Sequence, residues 1–455
     1  MKLWHYLKEK IMIHPEQIIC ENDAELSFEE AVIWAELFAP KLAGVKCCAI
    51  LCQSEMAAAL ALLACLAANI PAVPLSLRYG AIHCQKILEA IDPDAIIMDE
   101  DGELEITRIS DSHYVVPEES PALIMCTSGT TGKPKGVMLS GRNIMTNVTD
   151  IASYFAIGKG DTILISRPIY HCAVLTGEFL AALVKGTNIR FYSGVFNPPE
   201  LLKLIAKYGI TAFCGTPTLL SMMARFQKQT APDSLKHICI SGECMSRDIG
   251  LRIAAAFPTC EIYHVYGLTE ACPRVSYLPP ALFQTYPEYV GIPLRSTAVK
   301  IVNAQGETCA SDQEGVLWVK GDNIMLGYYR DPAKTAQIFQ DGWLCTGDIA
   351  EMNDKGLIKI KGRSDDMIIK AGMNIYPAEI EGAVKKDPRV HEVLVYSFEN
   401  SHGKQIGMKV VGDFVSPEQV KQMCGERLPG FQIPNHIELV SELPKNGGGK
   451  IIRKR

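Results

Sequence analysis

Strands alternating with helices through the first two thirds of the chain predict an α/β protein with a largely parallel sheet. A change of texture near residue 285 to short strands and tight turns predicts a β-rich subdomain. After Arg363 the helix-and-strand alternation resumes for about ninety residues, enough for a small α+β domain. The expected division is an N-terminal domain over 1–364 and a C-terminal domain over 365–455. The 455 residues are too many for one simple core, which agrees with this division.

The apolar runs Cys48-Ala49-Ile50-Leu51, Ala122-Leu123-Ile124-Met125 and Thr162-Ile163-Leu164-Ile165 read as strands buried on both faces. Residues 199–206 and 247–256 read as helices between strands. The run from Met56 to Ala68 follows Ser54, a good N-cap, and is too short to span a bilayer, so it reads as a buried Ala-rich helix. In the β-rich part, residues 299–302, 316–320 and 357–361 read as strands. Turns follow at Gln305-Gly306, Asp341-Gly342 and Lys355-Gly356.

Composition excludes several classes. A net charge of -6 argues against a general nucleic-acid binder, and 48% hydrophobic content fits a packed globular enzyme. The start of the sequence has no apolar stretch of signal-peptide length, and no membrane span is expected. The 16 cysteines are scattered in apolar surroundings with no Cys-x-x-Cys pair, which suits reduced core thiols and a cytoplasmic protein.

Chemistry enters with the segment Thr127-Ser128-Gly129-Thr130-Thr131-Gly132-Lys133-Pro134-Lys135-Gly136, which follows an apolar strand. Glycines let the backbone fold tightly, so hydroxyls, N–H groups and lysines converge on one concavity suited to a polyphosphate. A Walker A loop needs Ser or Thr directly after the Gly-Lys pair, and Pro134 stands there instead. Four further segments follow in order. They are Tyr266-Gly267-Leu268-Thr269-Glu270, Cys345-Thr346-Gly347-Asp348, Gly362-Arg363-Ser364-Asp365-Asp366 and Pro444-Lys445-Asn446-Gly447-Gly448-Gly449-Lys450.

Together these segments resemble the signatures of the adenylate-forming (AMP-binding) superfamily over essentially the whole chain. That superfamily comprises acyl-CoA synthetases, adenylation domains of non-ribosomal peptide synthesis and beetle luciferases. The resemblance implies an enzyme that makes an acyl-adenylate from ATP and a carboxylic acid and passes the acyl group to a pantetheine thiol. By the same resemblance Thr127, Ser128, Thr130, Thr131 and Lys133, on the backbone of Gly129 and Gly132, would grip the phosphates. Glu270 would hold Mg²⁺, Thr269 would contact the α-phosphate, and Tyr266 would stack on adenine opposite Gly242, Glu243 and Cys244. Asp348 would accept from both ribose hydroxyls, with Arg363 nearby.

Lys450, behind three glycines, is the implied catalytic cation of adenylation. Gly447-Gly448-Gly449 departs from the more usual Pro-Ser-Gly or Thr-Ser-Gly but keeps the spacing. For thiol transfer the family rotates its small C-terminal domain. Asp365 matches the hinge, and Ala371 and Gly372 would leave room for the pantetheine arm.

In Pro168-Ile169-Tyr170-His171, His171 stands where amino-acid-activating domains carry Asp, so an α-amino acid is not expected. His171 is either a gate between adenylate and thiol or an ordinary half-buried histidine. Val174, Phe213, Gly215, Thr216 and His264 are the implied lining of the acid pocket, with His264 either orienting the substrate or capping a strand. The acceptor stays open between CoA and the phosphopantetheine of an acyl carrier protein. From a different class, a non-catalytic nucleotide-binding protein is opposed by the retention of Lys450, Glu270 and Asp348 together.

Overall fold

The computed structural model describes residues 2–100, 102–128, 134–194, 197–226, 232–370, 373–400, 403–445 and 451–452. The side chains of Ser128, Lys370, Met373 and Asn374 fall outside that description. The observed fold is mixed α/β with a large sheet-rich N-terminal part and a small C-terminal part, as the alternation predicts.

Two sheets dominate. The nine-stranded sheet runs Ile292–Pro293, Arg274–Leu278, Glu261–Gly267, His237–Ile240, Ala212–Gly215, Thr162–Ile165, Asn188–Phe191, Ile18–Glu21, Ala24–Ser27. Its central strands are parallel and fully buried, which is why they read as continuous apolar runs. The seven-stranded sheet runs Gly327–Tyr328, Pro134–Leu139, Leu123–Ser128, Ala72–Pro74, Cys48–Ile50, Ala95–Glu100, Glu103–Arg108. Helix Glu55–Ala68 has Ser54 Oγ accepting from the Ala57 N–H at its start and Asn69 at φ 57 at its end.

The β-rich part forms a five-stranded sheet of Thr297–Val302, Gly315–Gly321, Trp343–Met352, Phe339–Gln340 and Ile358–Arg363. Gly342 and Gly356 close its tight turns at φ 75 and 73, a region that costs glycine nothing. Past it, Ile368, Ile375, Ile380, Val393, Ile406 and Val420 belong to a separate hydrophobic cluster, built on strands Val390–Asn400, Gly403–Gly412 and His436–Leu439. Arg225 and Arg252 donate to the Val390 and Lys385 carbonyls at 3.0 and 3.3 Å, and Lys386 pairs with Asp248, joining this part to two N-terminal helices. All 16 cysteines are free. Among the described residues no helix is long and apolar enough to cross a membrane.

Alternation along the strands of the large sheet gives it two different faces. Phe213, Ile238, Ile240 and Ile262 pack against helices Pro198–Lys207, Pro217–Phe226 and Arg247–Ala256. Cys214, Cys239, Tyr263 and Val265 pack on the opposite side, with Val174 and helix Gly141–Tyr154. Phe213 is completely buried among the first set. Phe213→Ala should therefore lower stability by roughly 3–5 kcal/mol, read from urea unfolding midpoints; a loss under about 1 kcal/mol would show that the ring is not core.

Candidate active site

The phosphate segment begins on strand Leu123–Ser128 and ends on Pro134–Leu139, antiparallel with Thr127 opposite Lys135 and Ser128 opposite Pro134. Gly129, Thr130, Thr131, Gly132 and Lys133 lie outside the described residues, between those paired ends. Gly136 is required by packing: a Cβ there would stand 2.6 Å from Ile91 and 2.8 Å from Ile124.

Beside this hairpin, Thr269 and Glu270 sit in the short 3-10 turn Thr269–Ala271 that follows strand Glu261–Gly267. Tyr328 donates its hydroxyl to Glu270 Oε1 at 2.7 Å. Lys135 lies over the Tyr328 ring at 5.4 Å. Burial, then the neighbouring Lys334, pull the Lys135 ammonium below its usual range, with Glu270 acting in the opposite sense and Arg363 adding to the repulsion. Cations gathered around one carboxylate suit a polyanion carrying a divalent metal. Glu270 is a hard oxygen donor of the kind Mg²⁺ takes, so the donor set fits that ion.

A second group holds the sugar-binding candidates. Strands Trp343–Met352 and Ile358–Arg363 pair with Asp348 opposite Arg363. Arg363 Nη1 donates to Asp348 Oδ1 at 3.2 Å and to the Thr346 carbonyl at 2.8 Å, while Tyr266, from the large sheet, donates its hydroxyl to Asp348 Oδ2. Thr346 Oγ1 accepts from the Asp348 N–H at 3.0 Å and donates to the Leu317 carbonyl at 2.7 Å. Burial and the Asp348 charge raise the Tyr266 phenol, so it stays protonated and can donate to Asp348. Gly347 takes φ 71, with an Arg363 nitrogen 3.0 Å from where a Cβ would stand.

Gly242, at φ 96, and exposed Cys244 form the bend after strand His237–Ile240. Glu243 turns its carboxylate to Thr218, accepting from the hydroxyl at 2.6 Å and the N–H at 3.2 Å. His171 precedes helix Cys172–Val174, its ring 4.2 Å from that of Tyr170. The loop before it is held by Glu55, whose Oε2 accepts from the Ile169 N–H at 2.9 Å. Burial pushes the Glu55 carboxyl up to about 7, and Arg78 stands 3.5 Å away.

Asp365 follows the Arg363 turn, where the Ser364 N–H donates to the Gly347 carbonyl and the Asp366 N–H to that of Arg363. Ala371, Gly372 and Lys450 lie outside the described residues. Residues flanking Lys450 are paired, with Lys445 bridged to Ile451 and Lys445 Nζ on Glu392.

The residues implied as the acid-pocket lining fall into two core clusters. Phe213, Gly215 and His264 face the layer of helices Pro198–Lys207 to Arg247–Ala256, whereas Val174 lies on the other side of the sheet. Thr216 accepts from the Leu219 N–H at 3.2 Å and so caps a helix. His264 Nδ1 lies 2.9 Å from the Pro287 carbonyl oxygen, and burial lowers the ring to about 4. Sequence reasoning missed Lys334 and Tyr328. Gly327, at φ 147 with Thr335 2.9 Å from its absent Cβ, was the local signal for the Tyr328 backbone.

The hairpin over 123–139, Glu270 beside Lys135 and Tyr328, and the Tyr266–Asp348–Arg363 group come from three sheets of one N-terminal part. The AMP-binding enzyme family matches residues 8–329, and its C-terminal domain matches residues 379–450. The chain belongs to the AMP-binding enzyme family.

Among its relatives, the long-chain-fatty-acid–CoA ligase of Escherichia coli O6:H1 is 33% identical over 352 residues, 75% of this chain and 62% of that protein. Feruloyl-CoA synthase of an Amycolatopsis species is 30% identical over 77% of this chain and 72% of its own. The chain thus spans about three fifths of the length of the ligases it matches first. Of solved structures, Bacillus subtilis o-succinylbenzoate CoA synthetase in complex with its acyl-adenylate intermediate superposes with TM-score 0.85 and 26% identity. That match covers 98% of this chain and 96% of the other. The same enzyme has been solved with ATP and magnesium ion.

The His264 ring is neutral in the folded protein and titrates at its ordinary 6.5 when unfolded. Above that value its contribution is complete; as pH falls from 6.5 toward about 4 the unfolded chain binds the proton first and stability is lost. His264→Gln should flatten this part of the stability–pH curve in chemical denaturation; curves of equal slope would refute the assignment.

Proposed function

We propose that the protein is an ATP-dependent acid–thiol ligase, which forms an acyl-adenylate from a carboxylic acid and transfers the acyl group to the thiol of CoA. The observation that carries this reading is the convergence of Asp348, Arg363 and Tyr266 in one hydrogen-bonded group, with Arg363 also acting on the Lys135–Glu270 cluster. Segments far apart in sequence thereby serve one nucleotide-sized site.

In the first step a substrate carboxylate oxygen attacks the α-phosphorus, a new P–O bond forms, and the bond to the β-phosphate oxygen breaks to release pyrophosphate. Thr127, Ser128, Thr130, Thr131 and Lys133 hold the phosphates, Asp348 the ribose and Tyr266 the adenine, beside Gly242, Glu243 and Cys244. Glu270 would hold Mg²⁺, which would supply charge neutralisation on the phosphate oxygens. Thr269 and Lys450 stabilise the charge that develops at the α-phosphate. In the second step the thiol sulfur attacks the acyl carbonyl, its proton passes to solvent, and AMP leaves. This reading divides the chain at 364/365, with Asp365 as hinge and Ala371 and Gly372 beside the thiol path.

CoA is favoured as acceptor because the relatives and the solved structure named above are CoA ligases or synthetases. His171 in place of Asp supports an acid without an α-amine. The free cysteines support a reducing, cytoplasmic setting.

Pyrophosphate release from Mg-ATP should require an acid from a carboxylic acid panel and should yield a thioester when CoA is added. Release without thioester would move the acceptor to a carrier protein. Lys450→Ala should cut adenylate formation by about 10²–10³-fold with the unfolding midpoint unchanged; near-normal adenylation would sink its role. Asp365→Pro should still form adenylate yet fail to transfer it, and equal loss of both half-reactions would argue against a hinge there.

A further inference from the structure

In open α/β sheets, ligands bind outside the carboxyl ends of the parallel strands. Those ends here carry a charged cluster that the nucleotide chemistry does not use. Arg167 follows strand Thr162–Ile165, Glu178 lies on the π-helical turn Leu175–Leu180, and Arg274 opens the strand after the Tyr266–Glu270 segment. Glu178 is 1% and Arg274 3% exposed. Arg167 Nη2 donates to Glu178 Oε1 at 2.5 Å. Glu178 Oε2, Arg167 Nε and Arg274 Nε have no hydrogen-bond partner among the described residues.

Formal charge does not balance: two guanidiniums face one carboxylate, which leaves an excess of one positive charge. The other titratable groups on the cluster are Tyr154, Cys214 and Cys239. Burial raises the Tyr154 phenol, which bonds to Arg274, and the Cys239 contact with burial raises the Cys214 thiol. An uncompensated buried cation is costly, and its unused N–H donors add to the cost, so such a group persists where an anion completes it.

Position says which anion. Gly177, six residues after His171, would place a Cβ 2.7 Å from an Arg274 nitrogen, so glycine is what lets the guanidinium lie against this turn. Arg274 is four residues from Glu270, and it pairs in register with Gly267. The cluster therefore joins the turn that follows His171 to the strand that follows the Thr269–Glu270 turn.

We propose that Arg274, with Arg167 and Glu178, forms the far end of the acid pocket and receives a second carboxylate, so that the substrate is a dicarboxylic acid. This rests on the acid-activation reading above. One carboxylate is adenylated and the other lies in the plane of the Arg274 guanidinium, whose paired N–H donors match two carboxylate oxygens. A long unfunctionalised alkyl chain entering this end would leave the guanidinium unpaired, and sites built to bond a polar group reject analogues that lack it far more strongly than apolar pockets reject size.

The test is ATP–pyrophosphate exchange by the full chain with straight-chain monocarboxylic acids and α,ω-dicarboxylic acids of matched length. Wild type should favour a diacid by about 100-fold or more in kcat/KM. Arg274→Met should reduce that ratio at least ten-fold. Arg274→Lys, which keeps the charge and loses the fork, should fall between, and it decides the matter if the methionine variant does not fold. Glu178→Gln should raise the ratio. Preference for the monoacid in wild type, or a ratio unaltered in folded Arg274 variants, overturns the dicarboxylate proposal and leaves acid activation standing. No exchange with any acid overturns acid activation, and this proposal with it.

Discussion

Asp348 stands opposite Arg363 across two antiparallel strands, and Tyr266 reaches the same carboxylate from a different sheet. That contact ties the β-rich part to the carboxyl end of a parallel strand. Thr346 orients Asp348 from behind, and Gly347 bends the strand so that Arg363 can approach. The carboxylate is thus already positioned, with its geometry fixed by backbone register. Preorganisation of this kind removes the ordering cost of meeting a diol.

The phosphate side follows from the same framework. Glu270 sits on a turn whose carbonyl accepts from the Met325 N–H, and Tyr328 on the neighbouring strand Gly327–Tyr328 binds its carboxylate. Lys135 and Lys334 come close enough to repel one another. A protein interior tolerates such repulsion where an anionic partner offsets it. At the carboxyl ends of the same parallel strands, Arg167, Glu178 and Arg274 form a second charged centre, with two guanidiniums beside one carboxylate.

The described contacts between the C-terminal part and the helices around Arg225, Asp248 and Arg252 are polar and few in kind. Polar contacts of that sort exchange with water at small cost.

Much was legible in the sequence because it is local. Apolar runs marked the strands Cys48–Ile50 and Thr162–Ile165, Ser54 marked the start of a helix, and glycine-rich turns marked the β-rich part. The nucleotide signatures could be read because close backbone approach and phosphate binding demand particular residues at fixed spacing. How the implied pocket residues group in space could not. Phe213 and His264 lie on one face of a sheet and Val174 on the other, and sheet register and layer order decide this, not residue type. Lys334 and Tyr328 gained their places beside Glu270 by chain crossing, and Arg274 met Glu178 across more than ninety residues. Sequence by itself determined the class of chemistry, since that depends on short motifs. Only the tertiary structure decided which buried charges face one another, because electrostatic partners are chosen by distance in space and by the exclusion of water between them.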